Sequence, residues 1–157
     1  MRKGLCLALV WVVLVCALTG CSSGPAQVRY ECYEISVSLP ATFVDLSGKD
    51  FPQYDMLLSD GTVTLAGIRE DKSLLPKDLS LEDFGQLVIH AHELDCQLLQ
   101  NDGLTYFNYE AGDPAFTYTV GIWETEDAFW SVQTYCKAED YAAVRQDMWQ
   151  MLQSVCF

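Results

Sequence analysis

Residues 115–136 read AFTYTVGIWETEDAFWSVQTYC. Two runs rich in aromatic and β-branched residues, 115–123 and 128–136, flank the polar turn Glu124-Thr125-Glu126-Asp127, and this pattern predicts a β-hairpin. Phe129 and Trp130 would point to opposite faces of one strand. The same arrangement occurs twice upstream. Runs 94–99 and 104–110 flank Asn101-Asp102-Gly103, and runs 54–59 and 62–69 flank Asp60-Gly61, a strong short-range hairpin signal. Residues 30–39, YECYEISVSL, alternate Ile35, Val37 and Leu39 against Glu34, Ser36 and Ser38, which predicts one half-buried strand ended by Pro40.

Two stretches carry a helical period instead. Ser80 can accept a hydrogen bond from the backbone N–H three residues on, and Glu82 and Asp83 suit the positive end of a helix. Phe84, Leu87, Val88 and Ala91 then form an apolar stripe. A second helix is expected over 139–153, burying Tyr141, Val144, Met148, Met151 and Leu152 while Arg145, Gln146 and Gln150 face water. Residues 70–79 and 111–114 read as loops, and 154–157 as an extended tail. Hairpins broken by two main helices predict an α+β fold with an antiparallel sheet.

The N-terminal segment has a different character. Arg2 and Lys3 are followed by no charged residue until Arg29, and an apolar run occupies the interval to Leu18. That run is shorter than the roughly 20 residues of a membrane-spanning helix, and a basic start with small residues at the end fits a secretory signal. Leu18-Thr19-Gly20-Cys21 looks like a bacterial lipobox, in which the cysteine thiol receives a diacylglyceryl group as a thioether before cleavage on its N-terminal side. The expected organisation is a lipoprotein signal peptide at 1–20, a flexible tether at 21–29 and a globular domain at 30–157. Lipid on Cys21 would hold the protein at the outer face of a bacterial cell membrane, each buried methylene adding about 0.8 kcal/mol.

Across all 157 residues, 22 acidic side chains face 9 basic ones, a formal charge of −13. Loss of Arg2 and Lys3 with the leader makes the remainder −15. Together with an isoelectric point near 4.2, this argues against a nucleic-acid partner, which needs clustered Lys and Arg. Hydrophobic residues at 50% and charged residues at 20% exclude a disordered chain.

Of seven cysteines, Cys6 and Cys16 leave with the leader and Cys21 takes the lipid. Cys32, Cys96, Cys136 and Cys156 remain, an even number in an oxidising compartment, with three connectivities open. Positions near the two ends of the domain favour Cys32–Cys156, and strand parity with apolar neighbours, Leu94 and Leu98 for Cys96 and Trp130 and Val132 for Cys136, favours Cys96–Cys136. Buried free thiols are the competing reading, since cysteine is a common core residue.

An opening strand ending in Leu39-Pro40 with Phe43 soon after is the first element of a larger pattern. The helix start Ser80-Leu81-Glu82-Asp83-Phe84, the consecutive hairpins, and a final helix from Glu139-Asp140-Tyr141 to Leu152-Gln153-Ser154-Val155 complete it. In these features the chain resembles the PsbP-like superfamily over about residues 30–157. That group includes a photosystem II extrinsic subunit, a Ran-binding import factor and DcrB-type small lipoproteins. The resemblance implies an α/β/α sandwich and a binding or accessory role without catalysis. It supplies no catalytic motif to transfer, and no cofactor.

The densest group of chemical side chains is His90-Ala91-His92-Glu93-Leu94-Asp95-Cys96. On a strand His90 and His92 would share a face and could hold a metal, as a small metal-dependent extracytoplasmic hydrolase would require; on a helix they lie about 200° apart and could not. A histidine cation at a helix C-terminus explains both more simply. A nucleophilic Cys96 beside His92 is a further alternative, disfavoured where thiols oxidise. Oxygen-rich loops at 60–61, 101–103 and 124–127 would suit a calcium-responsive surface protein, yet none has EF-hand spacing, and Asp or Asn before Gly is turn chemistry. The rings of Tyr106, Phe107, Tyr109, Phe116, Tyr118, Trp123, Phe129, Trp130, Tyr135 and Tyr141 are expected mostly in the core, with some able to line a groove for a peptide or glycan; the expected partner is a protein or small-molecule ligand that the sequence does not identify.

Overall fold

Strands β8 (Phe116–Glu124) and β9 (Ala128–Lys137) form the predicted hairpin and lie inside the sheet rather than at its edge. Phe129 and Trp130, 1% and 0% exposed, explain this position: a strand with large apolar side chains on both sides must be covered on both faces. The computed structural model describes residues 26–48 and 50–157; the predicted leader and Cys21 lie outside the described residues.

In chain order the other elements are β1 (Gln27–Cys32), β2 (Ile35–Pro40), β3 (Val44–Asp45), β4 (Met56–Ser59), β5 (Thr64–Asp71), α1 (Leu81–Ala91), β6 (Leu99–Asn101), β7 (Leu104–Ala111) and α2 (Tyr141–Gln153). Seven strands pair antiparallel in the order β3-β4-β5-β9-β8-β7-β6. One face carries α1, through a cluster of Phe84, Ile89, Phe107, Val120, Ile122 and Phe129. The other carries α2 and the β1–β2 hairpin, through a larger cluster that includes Val37, Leu39, Leu65, Trp130, Met148 and Leu152. The fold is α+β, as the hairpins and helical stripes predict, with helices on both sides of the sheet, as the family resemblance implies.

Local details follow from single residues. Helix α1 starts with a capping box: Ser80 Oγ accepts from Asp83 N at 3.1 Å, and the Asp83 carboxylate accepts from Ser80 N at 3.4 Å. Its buried face is Phe84, Gly85 and Ile89, so the stripe is rotated from the expected one and Leu87 is left 40% exposed. Gly121 on β8 is required by its neighbour, because the Trp123 indole lies where a β-carbon would be.

The expected single strand at 30–39 is two strands. Residues 27–32 and 35–40 pair as a hairpin, so β1 also takes over the end of the predicted tether. The turn escaped the sequence reading because it is built from Tyr33 and Glu34, with no Gly, Asn or Asp. Tyr33 adopts φ 49°, a region that disfavours aromatic residues. Its ring lies 6.3 Å from that of Trp130, with the Arg69 guanidinium 5.6 Å away.

This hairpin shares no strand pairing with the seven-stranded sheet; side chains fix it there. The Glu34 carboxylate accepts from Trp130 Nε1 and Thr125 Oγ1 at 3.0 Å each, and from Arg69 Nε at 3.2 Å. Burial alone would raise this carboxyl, but those donors outweigh it and hold Glu34 below the ordinary glutamate range. At the far side of β2, Ser36 and Cys156 exchange backbone hydrogen bonds of 2.8 and 2.9 Å, giving the extended tail its place.

Both expected disulfides are absent, and the register shows why. Cys32 stands opposite Ile35 and therefore on the face of β2 that carries Val37 and Leu39. Cys156 stands opposite Ser36, with its Sγ 3.3 Å from Ser36 Oγ, on the other face. Cys136 belongs to the cluster under α2, whereas Cys96 packs on the cluster under α1, so the sheet separates them. All four are free thiols.

Candidate functional site

Helix α2 is amphipathic in a way that leaves a flank open beside the β1–β2 hairpin. Met148 and Leu152 face the sheet, 0% exposed, and anchor the helix. One turn around the helix, Val144, Asp147, Met151 and Ser154 line a groove that Ser38 and Pro40 of β2 close from the other side. Phe43 and Val63 form its floor, and the β4–β5 turn, with Asp60 and Thr62, forms its end. The volume is about 630 Å³, within the range of ligand-binding clefts.

The groove has an apolar base and a polar rim, much of it engaged within the protein. Ser154 Oγ donates to Ser38 O or Met151 O and accepts from Ser38 N, which fastens α2 to β2. Asp60 Oδ1 accepts from Thr62 N and Val63 N at 2.8 Å each, the turn role expected of Asp before Gly. Asp147 makes no ion pair with another described residue, and among the described residues no Lys or Arg lines the groove. Its charged described lining groups are the carboxylates of Asp60 and Asp147. Gln27, at the start of β1, also lines it.

The sequence-predicted chemical groups do not gather into a reactive centre. His90 and His92 are exposed at the last turn and C-cap of α1. Among the described residues no three His, Cys, Asp or Glu side chains are arranged to share a metal ion. Burial, then the charge of Asp95, pushes the Cys96 thiol up, the opposite of an activated nucleophile. Cys32 is likewise raised, by burial and the carboxylates around it, and its thiol donates to Asp55 O. Cysteine nucleophiles are therefore not prepared at either position.

The aromatic residues divide. Phe107, Phe129 and Trp130 are core. Tyr109, Tyr118 and Tyr135 form a half-buried ladder across β7, β8 and β9, the first two stacked at 4.6 Å and the last two tilted by 30° at 5.1 Å between centroids. Desolvation leads the causes that raise all three phenols, Tyr109 to about 12. Trp149, which the helical stripe did not single out, packs edge-on to Tyr106 at 4.8 Å.

No protein-family model matches the sequence, and no curated protein matches it. Among solved structures, the chain is similar to the solution structure of cyanobacterial PsbP (CyanoP) from Synechocystis sp. PCC 6803, with a TM-score of 0.56 and 15% identity over 87% of this chain and 95% of that one. It is also similar to a crystal structure from Bacteroides thetaiotaomicron VPI-5482, with a TM-score of 0.56 and 7% identity over 84% of this chain and 48% of that one. At these identities the likeness is one of fold. The architecture is PsbP-like, as the element order in the sequence implies.

Proposed function

We propose that the protein is a lipid-anchored extracytoplasmic accessory domain, held by lipid on Cys21 at the outer face of a bacterial cell membrane, which binds a protein partner and performs no catalysis. The groove beside α2 carries this reading. Its apolar floor and its carboxylates, with no cation among the described lining residues, complement a basic amphipathic segment: apolar side chains on Phe43, Val63 and Met151, Lys or Arg toward Asp147 and Asp60. Gln27 is six residues from Cys21, a span of at most about 20 Å, so the segment engaged belongs to a partner at the membrane surface.

Two measurements test it. The intact mature chain should begin at Cys21 and carry a diacylglyceryl mass, while Cys21→Ser should accumulate as unprocessed precursor; normal processing of that variant would contradict the anchor. A fluorescently labelled peptide of alternating Leu and Lys blocks should bind the purified full-length protein in detergent, saturably and less tightly as salt rises. Asp147→Lys should weaken it about tenfold, and an unchanged affinity would remove the groove from the account.

A further inference from the structure

On the flank of α2 opposite the groove, Tyr141, Arg145 and Trp149 recur every four residues and so share one face of the helix. They look onto the sheet where β6, β7 and β8 meet, and with it enclose a second cleft of about 320 Å³. Asn108 on β7 stands directly opposite Thr119 on β8, and Tyr106 lies two residues along on the same face. Asn101, at the end of β6, completes the wall.

The side chains of this cleft are not engaged with the rest of the molecule. Arg29, Arg69, Lys72 and Lys137 each pair with a carboxylate. Arg145, like Lys77 in the loop before α1, pairs with none among the described residues, although acidic side chains outnumber basic ones by 22 to 9; of the two, only Arg145 stands over a cleft walled by aromatic rings and side-chain amides. The side-chain amides of Asn101 and Asn108, the hydroxyls of Thr119 and Tyr141, and the indole N–H of Trp149 make no hydrogen bond to another described residue. Among the described residues no buried side-chain polar atom lacks a partner, so these groups open onto the cleft. Amides and hydroxyls supply both donors and acceptors, and a guanidinium supplies a charged fork that fits a carboxylate. The Tyr106–Trp149 pair gives the cleft an aromatic wall.

We infer that this cleft is a binding site for a monosaccharide-sized sugar acid. A pyranose ring lies against Trp149 and Tyr106, its hydroxyls meet Asn101, Asn108, Thr119 and Tyr141, and its carboxylate meets Arg145. The volume is at the small end for ligand pockets and admits one ring. The site is on the other side of the helix from the groove and stands independently of the partner proposed there.

Isothermal titration calorimetry of the full-length protein in detergent, with glucuronate, glucose and acetate as probes, tests the inference. Glucuronate should bind saturably at one site, at least tenfold more tightly than either glucose or acetate. Arg145→Gln, at an exposed helix position, should lower glucuronate affinity about tenfold, to the level of glucose, and Asn108→Ala should weaken both sugars together. Saturable heat from none of the probes would overturn the site. Acetate equal to glucuronate would reduce it to an anion contact and overturn the sugar; glucose equal to glucuronate, or an Arg145→Gln variant binding as before, would overturn the role of the guanidinium.

Discussion

The two flanks of α2 are built from the same helix and differ in how their polar groups are used. Toward the β1–β2 hairpin, Ser154 is bonded to Ser38 and Met151, and Asp60 to its own turn; these side chains hold the groove in shape. Toward β6–β8, Arg145, Asn101 and Asn108 are bonded to nothing described and hold no shape. One flank is a fastening with a negative, apolar trough beside it. The other is an array of unengaged donors and acceptors. Polar side chains that cost no stability when replaced are the ones available for a ligand, and the comparison turns on that difference.

The largest effect should come from the seat common to both flanks. Met148→Ala removes a side chain that is 0% exposed and should cost about 2–5 kcal/mol in denaturant unfolding, loosening groove and cleft together. Glu34→Ala comes next. It leaves the Trp130 indole N–H without its acceptor, while the Thr125 hydroxyl keeps the Ala128 carbonyl, and should cost about 1–3 kcal/mol. Hydrogen exchange should speed up over 27–40, the groove side, and stay unchanged at Asn101 and Asn108. Equal acceleration on both flanks would show that they are not separable.

The same carboxylate gives a pH signature. Glu34 is held below its ordinary value in the fold, so its contribution is fully present above the unfolded pKa of about 4.3 and is lost as pH falls through the folded value. Glu34→Gln should flatten the acid limb of the stability profile. At the alkaline end the sign is reversed. Tyr109, Tyr118 and Tyr135 are raised, so their neutral forms support the fold below about pH 10, and stability falls as pH rises from there toward the Tyr109 value near 12.

Smaller effects separate the flanks most cleanly. Ser154→Ala should cost about 1 kcal/mol, because Ser38 N loses its acceptor. Arg145→Gln should change stability by less than about 0.5 kcal/mol, while changing glucuronate affinity tenfold. A destabilisation by Arg145→Gln as large as that by Ser154→Ala would make the guanidinium a structural group after all.

Much of the fold is legible in the chain. Asp60-Gly61, Asp102-Gly103 and the polar 124–127 turn mark their hairpins, and Ser80 marks its helix, because turn and cap chemistry is local. The Tyr33–Glu34 turn is not legible, since it depends on Trp130 and Arg69, far away in sequence. Cysteine pairing failed for a related reason: strand parity within a segment does not reveal which side of the sheet a distant segment covers. The cleft was half visible. Arg145 could be assigned to solvent, but its neighbours come from β6, β7 and β8, and only the sheet order brings Asn101, Asn108 and Thr119 beneath the helix.

The most direct test of the two-flank account is a backbone amide NMR titration of one labelled sample with two ligands. Glucuronate should shift Asn101, Asn108, Thr119 and Arg145 and leave Val63, Val144 and Met151 in place; the basic peptide should do the reverse. Both ligands shifting the same residues, or glucuronate shifting the groove residues alone, would contradict it.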